Sequence, residues 1–335
     1  MKVSKVLGFA IVLALVAATS AKAEDVTLRL GHAVFEKHPN HDTAVRFKEA
    51  VERISKGSVK VDIFPSRQLG DVKELMEGVE FGTVDMTVNS SSALATVEPS
   101  IDAFQLPGVI GSYEEFAKLA VSPAAKAIMA TLDNQGIVAL GLYDGGQRHF
   151  LTVKKPVEKM ADLQGMKTRV APVRLFLDVW SAVGVSPTPM AYGEVYPALE
   201  TGTLDAVEIN LTSIESEKYY EIAKNITLTG HYFWPSFLLI NKAKLEGLTP
   251  EQQTAIRQAA DEIVEPQVMA VAALDKQIIE DLKGRGVNVI EPDAQFKQDL
   301  SAAMKPVVDS YASKNPLIAD FVKEAQAIHA GKPAN

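Results

Sequence analysis

The 335-residue chain contains no cysteine, which excludes disulfides, thiolate metal sites and a cysteine nucleophile and leaves the core alone to stabilise the fold. It has no block of lysine and arginine, and its formal net charge is −8. Attraction to nucleic acid or to an anionic membrane through the net field is therefore not expected. No GxSxG elbow, HExxH pair, Walker loop or GxGxxG run occurs, so the short motifs that announce hydrolases, zinc proteases and nucleotide binders are missing. No low-complexity linker divides the chain, and nothing in it calls for a cofactor.

The first 23 residues stand apart. Lys2 and Lys5 precede an apolar run from Val6 to Val16, and Ala21-Lys22-Ala23 has the small-x-small pattern of a signal peptidase site. That run is too short for a comfortable membrane span and reads as a secretory signal cleaved before Glu24. Loss of Lys2, Lys5 and Lys22 moves the formal charge from −8 to −11 over the remaining 312 residues. A chain of that length exceeds one typical core, so two lobes are expected.

The most informative feature is a repeat 120 positions apart. ELMEGVEFGTVDMTV (Glu74 to Val88) and EVYPALETGTLDAVE (Glu194 to Glu208) share Glu74/Glu194, Glu80/Glu200, Gly82/Gly202, Thr83/Thr203 and Asp85/Asp205. Each copy predicts a helix, a glycine turn and a strand. Open α/β sheets bind ligands at the carboxyl ends of their strands, so two such ends imply two lobes sharing one cleft. The competing reading is a chance likeness between two amphipathic helices.

Val26 to Gly31 and Val59 to Phe64 alternate like half-buried strands, and Ala44, Phe47, Val51 and Ile54 between them have helical spacing. This β-α-β unit opens an α/β sheet. Further strands are expected at Ile137 to Leu142, Met166 to Val170, Ala206 to Ile209 and Phe237 to Ile240. From Pro250 to about Lys283 the pattern predicts one helix, capped by Thr249 and closed by Gly284 and Gly286. Its length of roughly 51 Å would carry it across both lobes. Pro266 predicts a kink, the alternative being two helices broken at Glu265.

Candidate chemistry is sparse. His38, His41 and Asp42, with Glu36 nearby, are the best metal-ligand set, but Pro39 separates the histidines; an exposed loop at the mouth of the first strand is the plainer expectation. His149, His231 and His329 have no legible partners. Arg148 is expected to follow a strand through a loop holding Gly145 and Gly146, and Arg169 lies inside the strand MKTRV. A guanidinium in an apolar strand is costly unless paired or facing a wet cavity, and its planar fork suits a carboxylate. An internal salt bridge with one of the 42 acids is the alternative. Ser90 stands past the first repeat copy, beside Asn89, and falls opposite Asn210 past the second; both suit hydroxyls or a carbonyl, although turn chemistry also explains them. Tyr192 and Trp234 are candidates to wall a pocket or simply to pack.

The ordered runs GHAVFEKHP, FPSRQLGD, GTVDM, GGQRHF, DLQGMKTRV, PTPMAYGEVYPALETGTLDAVE and LTGHYFWP cover nearly all of the chain after the leader. Together they resemble the DctP-type substrate-binding proteins of tripartite ATP-independent periplasmic (TRAP) transporters. The resemblance implies an α/β, two-lobed Venus-flytrap fold with a long helix spanning both lobes. It also implies that Arg169 clamps a solute carboxylate with Arg148 assisting, and that Asp71, Ser90, Tyr192 and Asn210 line the cleft; Glu208 and Trp234 complete the expected ligand-binding set. Many members carry asparagine directly after the glutamate of the D-x-x-E stretch, whereas this chain has Ile209 there and the amide at Asn210. Members similar to uronate binders carry an amide at that later place, which favours a sugar acid. Ser90 replaces the acidic residue of sialic-acid members and disfavours that ligand.

The expectation is thus a periplasmic receptor, not an enzyme, that binds an organic acid and delivers it to small and large TRAP permease subunits. Lobe I would comprise residues 24–145 and 234–273, and lobe II residues 146–233 and 274–335, closing about strands near Leu142 to Arg148 and Tyr232 to Ser236. A dicarboxylate, keto or hydroxy acid, or aromatic carboxylate is the alternative ligand, with Glu208 a candidate to hold a co-bound cation. A secreted metal-dependent hydrolase built on His38, His41 and Asp42 is the alternative of another class. A receptor serving an ATP-driven importer or a sensor kinase is a third.

Overall fold

The computed structural model describes residues 25–331; the expected leader lies outside them. The chain enters through β1 (Val26–Gly31), α1 (Pro39–Ile54), β2 (Val59–Phe64), α2 (Val72–Phe81) and β3 (Met86–Ser90). After α3 (Ser91–Leu94), α4 (Tyr113–Ala120) and α5 (Pro123–Ala130) comes the long strand β4 (Ile137–Thr152). The second half repeats the opening motif with β5 (Lys167–Val170), α6 (Arg174–Val183), β6 (Ser186–Pro189), α7 (Val195–Glu200) and β7 (Ala206–Asn210). There follow α8 (Leu211–Ser216), β8 (Asn225–Thr227), β9 (Phe233–Asn241), α9 (Lys242–Glu246), α10 (Pro250–Glu262) and α11 (Val264–Gly284). The chain finishes with β10 (Asn288–Ile290), α12 (Ala294–Lys314) and α13 (Pro316–His329).

The strand order is β2-β1-β3-β9-β4-β7-β5-β6, with β8 paired to β4 and β10. In each half the first strand of the motif lies between the other two, and all these pairings are parallel. The 120-residue repeat is therefore structural. Gly82 and Gly202 end their helices at φ +76° and +71°, a region that glycine enters without strain. Asp85 accepts from the Arg29 amide at 2.8 Å and Asp205 from the Lys167 amide at 3.0 Å, so each tethers its strand to the neighbouring parallel strand. Identical residues at the repeat positions do identical work.

Strand β4 joins the halves. It runs antiparallel to β9 over Ile137–Gln147 and to β7 over Arg148–Thr152, with a register shift between Asp144 and Gln147. The glycine pair expected to form a loop is instead a bulge within a continuous strand. Gly146 sits at φ +107°, and a Cβ on Gly145 would meet the Trp234 ring at 2.2 Å.

The long C-terminal helix is corrected. The 250–283 segment is two helices, because the carbonyl that Pro266 crowds belongs to Glu262, and α10 ends there; Ile263 links α10 to α11. Helix α13, which falls in the stretch 274–335 expected in lobe II, packs against α4, α5 and residues 99–105 of the first half as well as against α12. One large apolar cluster includes Phe47 and Phe104 of the first half and Phe237 of β9 together with Phe176 and Trp180 of the second half, and another gathers Leu151, Leu199, Val207 and Ile278.

Candidate binding cleft

The carboxyl ends of the parallel strands converge on a cleft of about 690 Å³. Strand β5 ends in the buried pair Arg169-Val170. Arg169 donates through Nε and one terminal nitrogen to the Met190 carbonyl at 3.1 and 2.9 Å. It lines the cleft at 3% exposure, and among the described residues no carboxylate pairs with it. Burial and then the nearby positive charge of Arg148 push its pKa down.

Arg148 is placed differently. It also lines the cleft, but it is clamped bidentately by Glu208, with Nε to Oε2 at 2.6 Å and Nη2 to Oε1 at 2.7 Å. This is the internal salt bridge that was the alternative reading, and cross-strand pairing of β4 with β7 sets it up. Glu208 is fully buried and also accepts from the Tyr232 hydroxyl at 2.7 Å, with His231 Nε2 at 3.5 Å. Burial opposes its ionisation, yet Arg148 and His231 outweigh that and hold it below the ordinary carboxylate range. Glu208, expected among the ligand-contacting residues and as a candidate cation holder, lies behind Arg148 and is not among the residues that line the cleft.

Ser90 and Asn210 cap α3 and α8 with nearly the same backbone, φ −76° and −82°, and both line the cleft. Asn210 Nδ2 donates to the Gly145 carbonyl at 2.7 Å, which fixes the amide so that its buried Oδ1 is left with no partner. Tyr192 and Trp234 form walls. Tyr192 donates to Ser213 at 3.1 Å, and Trp234 meets the His38 ring edge-on at 5.5 Å. Asp71 sits at the rim, caps α2, and accepts from the Gly193 amide of the opposite half at 3.0 Å.

Sequence reasoning missed Asn40 and Ser92, which also line the cleft and whose Oδ1 and Oγ are buried without partners. Asn40 was legible in principle, since the first turn of a helix following a strand's carboxyl end must face the cleft. His32, with Nε2 2.9 Å from His41 Nδ1, was also missed.

The metal-dependent alternative loses its ligands. His38 is a buried N-cap, not an exposed loop residue: its Nδ1 accepts from the Asn40 amide, and its Nε2 lies 3.2 Å from Ser213 Oγ across the cleft. His41 faces His32, and Asp42 pairs with Arg46 at 2.5 Å. Among the described residues no group of three or more histidines and acids is arranged to hold a metal. His231 engages Thr229, His149 accepts from the Gly230 amide, and His329 pairs with Glu115.

The family model described as bacterial extracellular solute-binding protein, family 7 (DctP), matches residues 30–315. The chain belongs to this family. It is 30% identical over 302 residues to the 2,3-diketo-L-gulonate-binding periplasmic protein YiaO of Escherichia coli, covering 90% of this chain and 92% of that one. The galactonate complex of the sugar acid binding protein DctPAm from Advenella mimigardefordensis superposes with TM-score 0.87 at 25% identity, covering 91% and 99% of the two chains. A TRAP periplasmic solute-binding protein from Bradyrhizobium complexed with α/β-D-galacturonate superposes with TM-score 0.85 at 32% identity over 90% and 99%. As a family 7 solute-binding protein the chain has the expected two-lobed α/β fold, and among its described residues no helix is long and apolar enough to cross a membrane.

Proposed function

We propose that this chain is a periplasmic receptor without catalysis of its own, which captures a sugar acid between its lobes and presents it to a TRAP permease of small and large membrane subunits. The observation that carries the reading is Arg169: a buried, unpaired guanidinium at a strand's carboxyl end, aimed into a cleft that holds unsatisfied acceptors. A carboxylate supplies the missing counter-ion, and hydroxyls supply donors to Asn210, Asn40 and Ser92. Trp234 and Tyr192 cover the apolar faces of the solute, while Ser90 and Arg148 contact it from the two halves. Relatives named for diketogulonate, galactonate and galacturonate support a sugar acid as the solute class.

Lobe I comprises residues 25–145 and 234–273 together with α13, and lobe II comprises 146–233 and 274–314. The lobes hinge at the β4 bulge and at Tyr232 to Ser236. A solute that binds the closed form more tightly drives closure. The test is a thermal-shift screen against an organic-acid library, since a ligand specific to the folded state raises the unfolding temperature by mass action. Aldonates or uronates should give the largest shifts. A library in which only dicarboxylates or aromatic acids stabilise the protein would overturn the sugar-acid reading.

A further inference from the structure

We infer that Glu208 is a specificity-determining positioning residue: by cancelling the charge of Arg148 from behind, it leaves the cleft one uncompensated cation, so the receptor selects sugar acids with one carboxylate over those with two. The inference rests on the sugar-acid reading and deepens it.

Two arginines line one cleft, which would suit a dianion if both were free. They are not equivalent. Arg148 spends Nε and Nη2 on the Glu208 carboxylate and donates again to the Glu208 carbonyl at 2.5 Å. Tyr232 and His231 hold Glu208 from its other side, so the acid cannot swing away to release the guanidinium. Only Arg169 retains unmatched charge.

Several groups of the lining disfavour a second carboxylate. Asn210 Oδ1 is an acceptor by necessity, because its Nδ2 already faces the Gly145 carbonyl, which can only accept. It welcomes a hydroxyl and repels a carboxylate oxygen. On α2, Glu77 is offset by Lys73, while Glu74 and Glu80 add negative charge to the lining. A second anion in a water-excluding cleft would meet acceptors and acids, a strongly unfavourable burial.

The test compares galactonate, galactarate and the galactarate monoamide by calorimetry on the intact protein. The three share one open six-carbon skeleton, and the monoamide keeps the size of galactarate with a single charge. Galactonate should bind at least about 30-fold more tightly than galactarate, with the monoamide within about tenfold of galactonate. In Glu208→Gln, whose folding is checked by its unfolding transition, the galactonate preference should shrink at least about tenfold. Equal or tighter binding of galactarate to the wild type overturns the inference. So does a monoamide as weak as the dianion, since size and not charge would then discriminate, or an unchanged ratio in folded Glu208→Gln. If that variant does not fold, the monoamide comparison alone decides. If no monocarboxylate binds at all, even with gluconate and galacturonate added to the panel, the sugar-acid reading itself fails and this inference with it.

Discussion

Single side chains decide affinity here. The Met190 carbonyl holds one edge of the Arg169 fork, which orients the remaining N–H groups into the cleft. Arg169→Ala should cost about 2 to 5 kcal/mol of binding, much of it from leaving the solute anion buried and unpaired. Arg169→Lys should weaken binding by more than about tenfold, because a point charge cannot hold Met190 and a carboxylate together as the planar fork does. Calorimetry with the true solute checks both, and a lysine variant within about threefold of wild type, under about 1 kcal/mol, would exclude the clamp. Much of this was legible: an arginine inside MKTRV announces a cost that a ligand can offset. Arg148 was the harder case. Sequence offered the pairing with an acid as an alternative but named no partner among 42 acids, because the choice of Glu208 depends on which residue β7 places opposite β4.

The element that matters most is the bulge in β4, where two buried carboxyls flank Gly146. Asp144 accepts from the Gly146 amide at 3.0 Å, and Asp275 on α11 accepts from Tyr113 and from the Gln147 amide at 3.3 Å. Both retain an unpartnered buried oxygen, and burial raises Asp275 from 3.8 to about 7. A carboxyl whose pKa is raised on folding binds more protons in the native state. Its contribution is complete below the unfolded value near 4 and is lost as pH rises to about 7. Asp275→Asn removes that dependence, so the stability of wild type relative to Asp275→Asn should rise as pH falls from about 8 to 5. Denaturant melts at several pH values check this, and a constant difference would contradict it. The sequence signalled glycine-rich irregularity at 145–146 but not its form, since a bulge and a loop use the same residues. The break between α10 and α11 was likewise signalled by Pro266, and its position at Ile263 follows from the carbonyl four residues before the proline.

Across the whole molecule the two halves are clasped over the cleft. Arg67 pairs with Glu217 at 3.1 Å and lies against the Tyr192 ring, Asp71 holds the Gly193 amide, and His38 reaches Ser213. On the proposed hinge motion these contacts break as the lobes part, so they favour the closed form. Arg67→Ala should leave association nearly unchanged and raise the dissociation rate about 3- to 30-fold, with a smaller salt dependence of affinity than wild type. Stopped-flow measurements at two ionic strengths check this, and an effect confined to association would contradict a clasp. None of these pairs was expected as a clasp, because Arg67 and Glu217 lie 150 residues apart with no shared pattern.

Local order determined a great deal of this protein by itself. Helix caps, glycine turns and alternating strands depend on neighbours within a few residues, so the α/β class, the doubled motif and the placing of Ser90 and Asn210 where its strands end could be read from the chain. Only tertiary structure decided which acid neutralises Arg148, that Arg169 remains unpaired, that His38 is a buried interlobe contact and that α13 returns to the first half. Those outcomes hang on strand register and helix packing between distant segments, where a single residue of slip moves a side chain to the opposite face.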